Sequence, residues 1–92
     1  MWHSAHAPQL VFAGTLTATT TAQQISSSAW PCTQLLVEND ENNQVDILLG
    51  GSASQVLKLQ PGQSLNLEIN NIPAIWVVTS SSTALVNWFS VG

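Results

Sequence analysis

The sequence has very little charge. Only 7% of its 92 residues are charged, against about 25% in an ordinary soluble domain. Lys58 is the single strongly basic residue among five acidic ones, and the formal net charge is −4. Binding to nucleic acid or to an anionic membrane requires many lysines and arginines, which one lysine cannot replace. We therefore expect neither nucleic acid nor a membrane among the partners.

Other absences from the sequence indicate the cellular compartment of the protein. Cys32 is the only cysteine, so no disulfide can form within the chain. No apolar run approaches the ~18 residues of a membrane-spanning helix. The first residues lack the basic and apolar regions of a secretory signal. These features predict a protein that is made in the cytosol and kept there.

Residues for catalysis are sparse. The only histidines, His3 and His6, fall in a segment without strand alternation, where a catalytic base is poorly preorganised. They offer two metal ligands, but no cysteine cluster or third histidine completes a site. We therefore expect no nucleophilic triad and no metal at these residues.

Four of the five acidic residues fall close together: Glu38, Asp40, Glu41 and Asp46. Paired carboxylates can act as acid and base in a cleft, and residues 40–46 have oxygen ligands at alternate positions, as a calcium loop does. However, Val45 replaces the loop glycine and Gly51 replaces its closing glutamate. We interpret the cluster as a solvated loop, and expect no enzyme activity, metal or cofactor.

The periodicity along the chain is that of β-strands. Residues 64–70 alternate between apolar and polar without a break, which predicts a strand with one buried face. Residues 55–59 form a strand before it. Pro61 and Gly62 favour a tight turn, so the two strands are predicted to form a hairpin.

Further strands are predicted at residues 10–17, 19–25, 33–37 and 45–49, with residues 38–43 as a polar loop. Counting the turn signals gives about seven or eight short strands, as in an all-β sandwich or jelly roll. We therefore predict one antiparallel β-sandwich domain over residues 9–92. Residues 1–8 show no alternation and are predicted to form an extended N-terminal arm.

The last two predicted strands, residues 74–78 and 84–89, are apolar on nearly both faces. One face of each must meet the core, and the other must meet a second sheet or a neighbouring subunit. Since tryptophan contributes heavily to cores and interfaces, we predict self-association through four residues of these strands: Trp76, Val78, Val86 and Trp88.

Several short motifs occur in a particular order: 31–33 (Pro-Cys-Thr), 45–51 (VDILLGG), 59–65 (LQPGQSL) and 75–77 (IWV). This order resembles small β-sandwich virion proteins of tailed bacteriophages, of the head-decoration or cement type, and the resemblance covers roughly residues 10–92. It implies a structural protein, typically a trimer on the capsid lattice, with the major capsid protein as partner. The expected location is the virion, assembled in the host cytoplasm.

In that setting, we expect the N-terminal arm to contact the capsid through Trp2, His3 and His6. Two alternatives remain open. One is a glycan- or host-binding module of a head fibre or tail, in which exposed tryptophans stack on sugars. The other is a tail or neck adaptor, which is also a structural role.

Overall fold

A computed structural model describes residues 10–92, so the predicted arm lies outside the described residues. Eight strands and one short 3-10 turn, Ile72–Ala74, make up the regular structure of that range. The strands are β1 Val11–Ala18, β2 Gln23–Gln24, β3 Gln34–Asn39, β4 Ile47–Gly51, β5 Ser54–Leu59, β6 Ser64–Leu67, β7 Trp76–Thr79 and β8 Ala84–Val91. No helix in the described range is long and apolar enough to cross a membrane.

The strands form two antiparallel sheets of four. The first sheet has the order β1-β8-β3-β6, and the second has the order β2-β7-β4-β5. Neighbours in the first sheet are all distant in sequence. Consecutive strands lie in opposite sheets, as in a jelly roll, except β4 and β5, which pair with each other in the second sheet. The predicted all-β sandwich is confirmed.

The core lies between the two sheets and follows the strand alternation. In β3, Leu35 and Val37 point inward, and they are fully buried. In β8, Val86 and Trp88 do the same from the neighbouring strand. The opposite wall is formed by residues of the second sheet, chiefly Ile47, Leu49 and Val77.

The turn between β5 and β6 forms as predicted, but the hairpin does not. Gly62 has a φ of +87°, which glycine adopts without strain, and the Gln63 amide donates to the Gln60 carbonyl at 2.9 Å. However, β5 pairs with β4 in the second sheet, whereas β6 pairs with β3 in the first. The hairpin prediction was wrong because this turn carries the chain from one sheet to the other.

Strand β3 extends further than predicted, because Asn39 belongs to it and is fully buried. The Asn39 side-chain amide donates to the carbonyls of Val45 at 3.0 Å and Leu59 at 2.9 Å. Its oxygen accepts from the Asn43 amide at 2.6 Å. The predicted polar loop therefore starts at Asp40, and a core asparagine fixes its conformation.

The two ends of the described chain lie side by side. Strands β1 and β8 pair along their whole length, from Val11 opposite Val91 to Ala18 opposite Ala84. Beyond them, the Gly92 amide donates to the Leu10 carbonyl at 2.8 Å.

Candidate docking surface

Strand β8 is apolar on both faces, as predicted, but two of the predicted interface residues point inward. Val86 is 0% exposed and Trp88 is 6% exposed within a single subunit. Their side chains fill the space between the sheets and leave almost no surface for a neighbouring subunit, so this burial argues against their assignment to the interface. The outward apolar residues of this strand are Leu85 and Phe89.

The other two predicted interface residues, Trp76 and Val78, are half-buried on the outer face of the second sheet. They alternate with Val77 and Thr79, which are buried against the core. Leu48 lies opposite Val78 in the β4–β7 register and is also half-buried. These residues give the outer face of the second sheet an apolar centre.

Trp30 belongs to an aromatic cluster at one side of the sandwich. Its ring stacks on Phe12, with centroids 4.3 Å apart and planes 14° apart. Its centroid lies 6.1 Å from that of the buried Trp88. Phe12 therefore covers one face of the Trp30 ring, and the indole is only partly exposed.

The outer face of the first sheet carries apolar residues that were not among the predicted interface residues. Phe89, 43% exposed, lies between Leu36 on β3, 40% exposed, and Ala13 on β1. Two residues after Phe89 on the same face of β8, Val91 lies opposite Val11 on β1. Because β8 is hydrogen-bonded on both sides, Phe89 and Val91 lie on the face of the sheet and not at its edge in the described structure.

Two shallow cavities of about 200 and 230 Å³ adjoin on this face and share Leu36 and Phe89 as walls. We call them together the Leu36/Phe89 groove. One end of the groove is lined by Gln34, Asn66 and Val91. The other end is lined by Glu38 and Asn87, with Trp88 below.

Two carboxylates are held together at that second end. The Asn87 side-chain amide donates to Glu38 Oε1 at 2.9 Å and to Asp40 Oδ2 at 3.0 Å. The Asn42 backbone amide also donates to Asp40 Oδ1 at 2.9 Å. These bonds, that of Asn42 foremost, hold the pKa of Asp40 below its usual range, so it is negatively charged at neutral pH.

The remaining members of the predicted acidic cluster do not join this pair. Asp46 is at the opposite side of the loop, 4.0 Å from the Lys58 amine on β5. Glu41 is exposed in the loop itself. Within residues 10–92, no group of three or more histidine, cysteine, aspartate or glutamate side chains is arranged to hold a metal ion.

Cys32 lies in a separate open hollow of about 540 Å³, whose other walls include Glu68 and Asn71. Its thiol is buried and donates to the Ile69 carbonyl at 3.2 Å. Burial raises the pKa of this thiol. A protonated, hydrogen-bonded thiol is a packing group and a poor nucleophile.

A third apolar region lies where the edge strands β5 and β6 face each other across the two sheets. An opening of about 210 Å³ there is lined almost wholly by apolar side chains, including Leu57, Leu65 and Leu67. Val56 also lines this opening and is 78% exposed.

No protein-family model matches the sequence, and no curated protein matches it. Any proposed function therefore rests on the fold, on the surfaces described above and on the sequence motifs.

Proposed function

We propose that this chain is a structural protein of a tailed-phage virion that binds and stabilises the head shell as a homo-oligomer, with a trimer favoured. Its partners are then other copies of itself and the major capsid protein, and its location is the capsid surface. The proposal assigns it no catalytic step and no cofactor.

The observation that carries this proposal is that both sheets have apolar outer faces. Phe89 and Leu36 lie exposed on the first sheet, and Trp76 and Val78 lie half-buried on the second. A monomeric soluble protein exposes few contiguous apolar patches, and larger ones mark surfaces that meet other proteins. Two such faces on one small sandwich suit a protein that contacts both its own copies and a shell.

The fold and the sequence motifs add support of a weaker kind. Jelly rolls occur in viral capsid proteins and in lectins, and one fold serves many functions. The resemblance of motifs 45–51 and 59–65 to head-decoration proteins favours a virion role over a lectin role.

We assign the subunit interface to the outer face of the second sheet, around Trp76 and Val78. Light scattering on the purified chain at micromolar concentration should give the mass of about three copies. Val78→Asp should dissociate this oligomer because it places a charge in the apolar face. Ser64→Asp adds the same charge at an exposed position of β6 and should leave the oligomer intact.

A wild-type chain that is monomeric at this concentration would contradict the interface. Far-ultraviolet circular dichroism of Val78→Asp separates loss of association from loss of fold.

The location is tested on particles of the phage that encodes the chain. Immunogold labelling with antibody against this protein should mark the heads evenly. Label confined to the tail or neck would favour the adaptor alternative, and absence of the protein from purified particles would refute the virion role.

The predicted capsid contacts Trp2, His3 and His6 are tested by deleting residues 2–8. We expect the truncated chain to keep its oligomeric state and to bind heads more weakly. Unchanged head binding would show that the arm is not a contact.

Glycan binding remains the alternative function, and the observation that favours it is the partly exposed Trp30 ring beside Phe12. Quenching of tryptophan fluorescence by host glycans that is lost in Trp30→Ala would support it. No quenching across a panel of host glycans would count against it.

A further inference from the structure

We propose that the Leu36/Phe89 groove docks this protein on its shell partner, and that it takes a segment of the partner in which an arginine or lysine adjoins an apolar side chain. This inference rests on the proposed function and names the surface and the chemistry of the contact.

The shape of the groove fits such a segment. Leu36 and Phe89 form apolar walls, and Glu38 lines one end. Arginine and lysine have long apolar stems and a charged head, so they pack along apolar surface while the head reaches a polar partner. A stem lying against Phe89 would bring its head to the carboxylates.

The two carboxylates at that end are held in place by hydrogen bonds before any partner binds. The Asn87 amide uses its donors on Glu38 and Asp40, and this holds two negative groups within reach of one another without neutralising them. An ionised carboxylate accepts several hydrogen bonds, so both retain acceptor capacity for a guanidinium or ammonium. Charge-assisted bonds of this kind are about twice as strong as neutral ones.

The cation that complements this end must come from elsewhere. Lys58 is the only lysine or arginine of the sequence. It lies on β5 of the second sheet, with its amine 4.0 Å from Asp46. A second copy of the chain carries the same net charge of −4, so packing it on this face would bring like charges together. Charge complementarity therefore favours a basic partner over another copy.

The first test measures binding to purified heads that lack this protein. The double variant Glu38→Gln, Asp40→Asn should bind at least ~10-fold more weakly. Its matched control, Asp46→Asn with Glu68→Gln, removes two charges outside the groove and should bind like wild type. Equal binding by the groove variant and wild type would overturn the inference.

The apolar wall is tested in the same assay. Phe89→Ser should weaken head binding, whereas Val56→Ser, which removes an exposed apolar side chain from the second sheet, should not. Thermal unfolding of each variant identifies any loss that comes from misfolding. If both variants bind alike, the groove is not the docking surface.

The second test needs no heads. N-acetyl-arginine amide is titrated into the ¹⁵N-labelled protein, with N-acetyl-glutamine amide as the neutral control. Shifts should be confined to residues around Leu36, Glu38, Asn87 and Phe89 and should vanish in the double variant. No shift, or equal shifts around Asp46, would refute the proposed ligand chemistry.

The chain's own first residues are the main competing occupant. If arginine amide shifts the groove signals only after residues 2–8 are deleted, those residues fill the groove and the assignment to a partner is wrong. If wild-type protein binds no heads at all, the proposed function fails, and the titration still decides what the groove binds.

Discussion

Gly14 on β1 lies directly opposite Trp88 on β8, and the absence of a side chain at Gly14 is what makes room for the indole. A Cβ atom placed on Gly14 would come within 2.7 Å of Trp88 Cζ2. The largest residue of the inner face of the first sheet thus packs over its smallest neighbour.

Gly14→Ala should therefore destabilise the protein by about 1–3 kcal/mol, because overpacking forces the indole or the strand to move. Urea unfolding followed by tryptophan fluorescence measures the change. Gly51→Ala is the matched control, since no atom lies within 4 Å of a Cβ there, and its effect should stay within about 0.5 kcal/mol. Equal stabilities of the two variants would contradict the packing.

Asn39→Asp should lower the free energy of unfolding by about 3 kcal/mol at neutral pH. The change replaces a donor by an acceptor that faces the Val45 and Leu59 carbonyls in a buried site. Burial beside these oxygens raises the pKa of the new carboxyl, so the lost stability should partly return as the pH is lowered.

Asn70→Asp, at an exposed position, controls for the added charge and should be nearly neutral. The prediction is checked by urea unfolding over a pH series. A cost for Asn39→Asp that does not change with pH would argue against ionisation as its cause.

Asp40 should make the protein more sensitive to acid. Its pKa is lower in the folded chain than in the unfolded chain, so its contribution is complete above the ordinary aspartate pKa of about 4 and is lost as the pH falls through the lower folded value. In Asp40→Asn, the melting temperature should therefore fall less steeply as the pH is lowered. Glu41→Gln removes an exposed carboxylate of the same loop, and an equal effect there would contradict the assignment.

Cys32 should react slowly with thiol reagents in the folded protein and rapidly in concentrated urea. The thiol is buried, its pKa is raised, and it is hydrogen-bonded to the Ile69 carbonyl. Ser27→Cys in a Cys32→Ala background places a thiol at an exposed position and should react at once. Rapid labelling of native wild type would show that the Cys32 thiol is accessible from the hollow and would contradict its burial.

The strands were predictable from sequence where one face is buried and the other is not. Ile47 and Leu49 alternate with partly exposed residues, and β4 includes residues 47–49 of the predicted strand, although it starts two residues later and continues through Gly50 and Gly51. The partner of each strand was not predictable in the same way. Pro61 and Gly62 specify a reversal of the chain, but nothing local specifies whether the next strand returns to the same sheet.

The candidate surface was harder to predict. A strand that is apolar on both faces has no alternation of apolar and polar residues, so its sequence does not show which face is buried. Trp88 and Phe89 are adjacent, and sequence alone does not show which one faces the core. Packing decides it, since Gly14 leaves space for the indole on the inner side. Asn39 did carry a signal that was missed: it continues the inward series of Leu35 and Val37 at a spacing of two.

Because Leu10 and Gly92 are adjacent, a short linker between these two residues would close the sandwich into a ring, the first step in designing a circular permutant. Reopening it at the exposed Ser52–Ala53 turn between β4 and β5 would cut no strand. By the same geometry, peptides fused at residue 10 and at residue 92 would emerge next to each other. A display scaffold built on this protein would present two inserts as a neighbouring pair.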